Sequence, residues 1–78
     1  MMMSGLYMKD IITKTLDVAL RESLPVRIVY DGKDGITERV IVINSIQDER
    51  IVAYCRLRRR ISTFKLGKVL AAQVVYGK

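Results

Sequence analysis

The sequence predicts a mainly β fold of the α+β class, with one N-terminal helix and five short antiparallel strands that curl into a small barrel. Apolar residues recur at helical spacing before the single proline, and strand-like apolar runs separated by turn residues follow it. A chain of 78 residues has room for one domain and one small core. Closing the sheet into a barrel would also remove exposed strand edges, which otherwise favour aggregation.

The first predicted element is an amphipathic helix over residues 9–24, after a flexible leader formed by residues 1–8. Asp10 is placed to cap the helix start, and Pro25 cannot continue a helix. The apolar positions with helical spacing are Ile12, Leu16, Ala19, Leu20 and Leu24. This spacing predicts one apolar face that packs on the rest of the domain, which we expect to be a single barrel over residues 25–76.

After Pro25 the apolar residues change to strand spacing, and clusters of Gly, Asp, Asn and Ser mark the turns. The predicted strands are 26–30, 36–43, 50–57, 60–66 and 68–76, with turns at 31–35, 44–49 and Arg58–Arg59. Gly67 ends the fourth strand, and a helical turn is compatible with the start of the fifth. The second strand is apolar on both faces in its second half, which favours closure or cover by the helix.

The residue inventory argues against an enzyme, because the chain contains no histidine and one cysteine. The commonest general base and metal ligand is therefore missing, and Cys55 fits a buried strand position better than a nucleophile. Asp31 and Asp34 lie beside glycines, where backbone turn geometry explains them better than metal binding. We predict no catalytic residues, no metal site and no cofactor.

Cysteine usage and the N-terminus predict a cytoplasmic location. A small domain with one unpaired cysteine is typical of a reducing compartment. The first ten residues lack the basic and apolar regions of a signal peptide. No apolar run approaches the roughly 18–20 residues that a membrane span needs, so we predict no membrane partner.

The net charge of +6 is concentrated in the stretch from residue 54 to residue 68. Residues 1–55 carry seven basic and eight acidic side chains, whereas this stretch carries no acidic residue. Its six cations are Arg56, Arg58, Arg59, Arg60, Lys65 and Lys68. A charge cluster of one sign indicates either an anion-binding site or the solvated side of a β-hairpin, and periodicity leaves both interpretations open.

Strand alternation places Tyr54 in line with Arg56 and Arg58 on one face, opposite Ile51, Ala53, Cys55 and Leu57. An aromatic ring beside guanidinium groups suits nucleic acid or a nucleotide, because the ring stacks on bases and arginine binds phosphate. The candidate ligand-binding residues are Tyr54, Arg56, Arg58, Arg60, Lys65 and Lys68. Both faces of the fourth strand are mixed, so alternation does not identify its core side.

Residues 16 to about 72 resemble the WYL domain of bacterial regulators, in the segments "LDVALRESLPVRIVYDGKDGITERVIV" and "RIVAYCRLRRRISTFKLGKVLAA". Tyr30 falls at the tyrosine that ends the first strand in that pattern. The other matching positions are Ala53, Tyr54, Cys55, Phe64, Leu66 and Val69. The chain departs from the pattern at three places. The Trp-Tyr-Leu tripeptide that names the family falls on Arg50-Ile51-Val52, and the arginine two residues before the phenylalanine falls on Ser62. The Asp-Arg pair of the family falls on Gly67-Lys68.

This resemblance implies a WYL-like domain with an Sm-like small barrel of the Src-homology-3 type. WYL domains usually follow a helix-turn-helix module and sense a ligand, in several cases nucleic acid or a nucleotide. For this chain the resemblance implies a stand-alone, non-enzymatic sensor or accessory barrel in transcription regulation, whose partner is nucleic acid or a nucleotide-like anion. The alternative is a protein-interaction or oligomerisation module, in which the basic hairpin docks on an acidic surface of another copy or of a larger regulator.

Overall fold

The computed structural model describes residues 4–76 of the chain, with side chains described from residue 10 onward. One helix precedes five strands in a single antiparallel sheet, so the predicted mainly β fold is confirmed. The elements are α1 (Ser4–Arg21), β1 (Pro25–Gly32), β2 (Gly35–Gln47), β3 (Arg50–Cys55), β4 (Arg60–Lys65), a 3-10 turn (Leu66–Lys68) and β5 (Val69–Val74). Within residues 4–76, no helix combines the length and apolar character needed to cross a membrane.

The helix has different bounds from those predicted, because α1 begins at Ser4 and ends at Arg21. It therefore includes part of the predicted leader, of which residues 1–3 lie outside the described residues, and Asp10 lies within the helix rather than at its start. Ser23 adopts a left-handed backbone conformation with φ of 56°. The Leu24 N–H donates to the Ala19 carbonyl at 2.9 Å, and the Ser23 N–H to that of Leu20 at 3.3 Å. These two bonds form a Schellman motif, which ends the helix before Pro25 is reached.

The core lies between α1 and the inner face of the sheet, which we define as the face that carries the buried strand residues. The buried residues are Ile12, Leu16, Ala19, Val26, Ile28, Ile41, Ile43, Ile51, Ala53, Cys55, Phe64 and Val69. On β3 and β4 they occupy alternate positions, which assigns Ile51, Ala53, Cys55 and Phe64 to the inner face. The predicted grouping of Ile51, Ala53 and Cys55 on one face of β3 is confirmed, and this face is the buried one, whereas Leu57 lies beyond the strand and is exposed.

The predicted closure of the sheet into a barrel is wrong. The strand order is β4-β3-β2-β1-β5, and among residues 4–76 β4 pairs only with β3 whereas β5 pairs only with β1. The 3-10 turn carries the chain from one edge of the sheet to the other, and α1 packs mainly against β5. The helix therefore covers the core. The core is buried in this way even though no hydrogen-bonded ladder joins the two edge strands.

The open sheet is nevertheless strongly curled, because the end of β4 reaches the side chain of Tyr30 on β1. The Lys65 N–H donates to the Tyr30 hydroxyl at 2.9 Å, and the Tyr30 and Phe64 rings meet edge to face at 5.1 Å. In a flat sheet, β1 and β4 would lie about 14 Å apart, at three strand spacings. The inner face is therefore concave, and Tyr30 bridges it.

The β2–β3 turn is much shorter than the predicted 44–49 region. Residues 44–47 belong to β2, and a register shift between Ile43 and Ser45 marks a bulge. Gln47 pairs with Arg50, which leaves Asp48 and Glu49 as the two turn residues, with φ of 51° and 63°. Positive φ at both central residues is the pattern of a type I′ turn, which glycine and asparagine adopt with least strain.

The double change Asp48→Asn, Glu49→Gly should raise the free energy of unfolding by about 1 kcal/mol, because it relieves side-chain strain at positive φ. Lys33→Asn, Asp34→Gly is the matched control, since neither residue of the β1–β2 turn has positive φ. Urea titrations of both variants and the wild type measure the effect. An equal gain in the control would contradict the explanation.

Tyr30→Phe should lower the free energy of unfolding by about 1 kcal/mol, because it removes the hydroxyl that accepts the Lys65 N–H and keeps the ring on Phe64. Tyr54→Phe is the control, since the Tyr54 ring is partly exposed on the other face of the sheet. Hydrogen exchange of the Lys65 amide should also accelerate in Tyr30→Phe. Unchanged exchange at Lys65 would mean that the hydroxyl does not hold the end of β4.

Candidate anion-binding site

The inner face of the sheet is apolar where α1 covers it and polar at the opposite end. On β1, Tyr30 continues the inner positions of Val26 and Ile28, and on β2 Thr37 and Arg39 precede Ile41. The alternation that builds the core thus directs these polar side chains to the same concave surface. No described residue of α1 lines that end.

This end of the inner face forms a pocket of about 280 Å³, which we call the concave pocket. One wall is the β1–β2 turn, and the opposite wall comes from β4 and from the turn that joins β3 to β4. Its lining residues are Tyr30, Gly32, Lys33, Asp34, Gly35, Thr37, Arg39, Arg58, Ser62, Thr63 and Phe64. The pocket thus combines two guanidinium groups, one ammonium group and several hydroxyls with a single carboxylate.

Arg39 is the half-buried cation among the lining residues of this pocket, whereas Lys33 and Arg58 are exposed. Its Nε–H donates to Thr37 Oγ1 at 3.2 Å, and its Nη1–H donates to Cys55 Sγ at 3.6 Å. The side chain is half-buried, and the two ion pairs among the described side chains, Asp17–Arg21 and Arg27–Glu38, do not include it. A partly desolvated guanidinium with spare donors and no carboxylate partner favours an anion in the pocket.

Cys55 connects Arg39 to the turn that follows β3. Burial raises the pKa of the Cys55 thiol, but the backbone N–H groups of Arg58 and Leu57 and the Arg39 guanidinium lower it to below its ordinary value. The sulfur thus lies among donors from the turn and from β2. The predicted strand-core position of this cysteine is confirmed, because its side chain is 0% exposed.

The turn over residues 56–59 is fixed by its backbone and carries Arg58 to the pocket. The Arg59 N–H donates to the Cys55 carbonyl at 2.7 Å, and the Arg56 N–H donates to the Val40 carbonyl at 3.1 Å. Arg59 takes the left-handed conformation, with φ of 59°, which closes the turn. Of the six predicted ligand-binding residues, Arg58 is the one that lines the concave pocket.

The structure separates the other predicted residues. Arg56 and Arg60 are exposed at the two ends of the turn, whereas Tyr54 lies on the outer face of the sheet, paired with Val42 and Ile61. Lys65 ends β4, about 17 Å along the strand from Arg60, and Lys68 lies in the 3-10 turn that follows. Both lysines line a separate depression together with Asp48, Glu49 and Arg50. The carboxylates of Asp48 and Glu49 offset part of the positive charge there.

Sequence reasoning missed Arg39, although a signal was present. Arg39 precedes Ile41 by two residues in a strand, so alternation assigns a charged residue to the core side. Charged residues on a buried face are rare unless they are paired or functional. The density of positive charge indicates the arginine-rich turn, whereas alternation indicates Arg39.

The concave pocket also gathers three positions of the WYL pattern. Tyr30, Ser62 and Phe64 line it together. At Ser62 the pattern has an arginine, and this chain has a small hydroxyl there. Guanidinium groups reach the same pocket from Arg39 on β2 and from Arg58 in the turn.

Among solved structures, the chain is similar to the proteasome accessory factor B/C (PafBC) of Arthrobacter aurescens. The two share 22% sequence identity, with a TM-score of 0.76 over 94% of this chain. The chain spans 12% of the length of that protein. No protein-family model matches the chain, and no curated protein matches it either. The likeness establishes that the fold of this chain recurs in one part of PafBC.

Proposed function

We propose that the chain is a WYL-like, non-enzymatic module that binds a phosphate-bearing anion, single-stranded nucleic acid or a nucleotide, in a regulatory and cytoplasmic role. The observation that carries this proposal is the half-buried Arg39 guanidinium, which meets no carboxylate among the described ion pairs and shares a pocket with Arg58. Planar guanidinium groups bind phosphate in bidentate fashion, and the hydroxyls of the pocket add further donors.

The fold supports the same proposal. The sequence resembles WYL domains of bacterial regulators, and the fold recurs in part of a protein named as an accessory factor. In this proposal Arg39 and Arg58 bind phosphate, and the exposed Arg56 and Arg60 attract the rest of the anion.

The predicted residues outside the pocket have secondary roles in the proposal. Tyr54 offers an exposed ring on the outer face, where it can stack on a base of a strand that passes over the edge. Lys65 and Lys68 extend the positive potential along β4, with smaller effect because Asp48 and Glu49 lie beside them.

A fluorescein-labelled oligothymidylate should bind with an affinity that falls as salt rises, with a slope of log K against log salt of about −3. This slope corresponds to four cations that neutralise phosphates of a single strand. Arg39→Gln and Arg58→Gln should each weaken binding about tenfold, since each removes a charge-assisted contact. Fluorescence anisotropy at several salt concentrations measures both effects.

Lys65→Gln and Lys68→Gln provide matched controls, because each removes one charge from the far end of β4. They should weaken binding less than Arg39→Gln does. The proposal fails if no salt-dependent binding occurs at low ionic strength. It also fails if the lysine changes weaken binding as much as the arginine changes while all variants unfold at the wild-type temperature.

The free edge of β4 favours a second candidate function, which is protein interaction or oligomerisation. This edge pairs with no strand within residues 4–76, and beside it the outer face exposes Ile61 by 52% and Tyr54 by 38%. Unpaired edges with apolar neighbours are templates for pairing with another chain. The cations around this edge would select an acidic partner.

If this second function holds through self-assembly, light scattering should give a mass above the 8.9 kDa of one chain. Ile61→Lys should then reduce the mass to that of a monomer, because it places a charge on the edge. Ile36→Lys is the control, since Ile36 is similarly exposed at the far end of β2. A monomeric mass for the wild type, or equal effects of both changes, would contradict self-assembly through β4.

A further inference from the structure

The concave pocket is small and has walls on two sides, which favours the end of a strand over its middle. Its volume of about 280 Å³ lies just below the range of roughly 300–1,000 Å³ for small-ligand sites. The β1–β2 turn bounds it on one side, and β4 and Arg58 bound it on the other. An internal phosphodiester has a chain on both sides, and both would have to leave the pocket. A terminal phosphate is attached to a chain on one side only, so a single chain has to leave the pocket.

The donors of the pocket also exceed what an internal phosphate can use. Arg39 spends two of its five N–H donors on Thr37 and Cys55, which leaves three for a ligand. Arg58 adds a second planar fork, and Ser62 adds a hydroxyl. Two guanidinium forks and a hydroxyl are accommodated with less crowding on three terminal oxygens than on two, because each fork can then bind its own pair of oxygens with one oxygen shared. A phosphomonoester presents three terminal oxygens, whereas a phosphodiester presents two.

The charge of the pocket favours a dianion in the same way. Arg39, Arg58 and Lys33 bring three positive charges to its lining, and Asp34 brings one negative charge. The resulting balance of two positive charges matches the roughly −1.5 to −2 charge of a phosphomonoester at neutral pH. A phosphodiester carries one negative charge and would leave part of this balance uncompensated.

We propose that the concave pocket binds the terminal phosphomonoester of a nucleotide or of a strand end, with Arg39 and Arg58 as its two phosphate forks. This inference rests on the proposed function and specifies the ligand class of the same site. The exposed arginines of the turn then contact the adjacent part of the ligand outside the pocket.

Two oligothymidylates with a 3′ fluorescein label, one with a 5′-phosphate and one with a 5′-hydroxyl, test the proposal by fluorescence anisotropy. The phosphorylated strand should bind about tenfold more tightly to the wild type. Arg39→Gln should abolish this preference. Arg39→Lys should abolish most of it too, because lysine keeps the charge and lacks the planar fork. Lys68→Gln removes a charge outside the pocket and should preserve the preference.

Competition by AMP and by adenosine distinguishes the two sources of the phosphate. Displacement of the labelled strand by AMP and not by adenosine assigns the site to free nucleotides as well as to strand ends. A preference for the phosphorylated strand without competition by AMP assigns it to strand ends alone. Both results support the proposal that the pocket binds a terminal phosphomonoester.

Equal affinity for the two strands, with both weakened by Arg39→Gln, would overturn this inference and leave the proposed function intact. A preference that survives Arg39→Gln would also overturn it, because the terminal phosphate would then lie elsewhere. Absence of binding for either strand would instead overturn the proposed function itself.

Discussion

The fold depends on the contact that Tyr30 makes across the inner face of the sheet. Its ring packs on Phe64 at 5.1 Å, and its hydroxyl accepts the Lys65 N–H at 2.9 Å. This side chain joins strands that are three positions apart in the sheet order. The sheet is therefore held in a curl without a ladder between its edge strands. The curl makes the inner face concave, and α1 fills one half of it.

The other half of the concave face can hold a charged site because no described residue of the covering helix lines it. At that end Thr37 and Cys55 accept hydrogen bonds from Arg39, so the guanidinium is oriented at a position where alternation would otherwise continue the core. An apolar side chain at residue 39 would fit the local pattern better. The departure from that pattern coincides with the pocket, which is where a functional constraint is expected to override packing.

The sequence allowed prediction of features that local periodicity determines, including α1, the alternating faces of β3 and the buried Cys55. It did not reveal the open edges, because pairing of β4 with β5 depends on where α1 packs. The β2–β3 turn was predicted too long because Asp48 and Glu49 adopt positive φ without glycine. Charge density along the chain also does not show distance in the fold. Lys65 and Arg60 belong to one charge cluster in the sequence, although the length of β4 separates them.

The proposed anion site does not need the arginine that the WYL pattern places on β4. Ser62 lines the pocket where the WYL pattern has an arginine, and Arg39 reaches that pocket from β2. A phosphate responds to the position and orientation of guanidinium donors, and the strand that carries them is immaterial. In the proposal, an arginine on β4 is therefore not required as long as another strand directs one into the same space. The proposed ligand contacts therefore lie at inner-face positions at the uncovered end of the sheet, and the linear motif alone does not identify them.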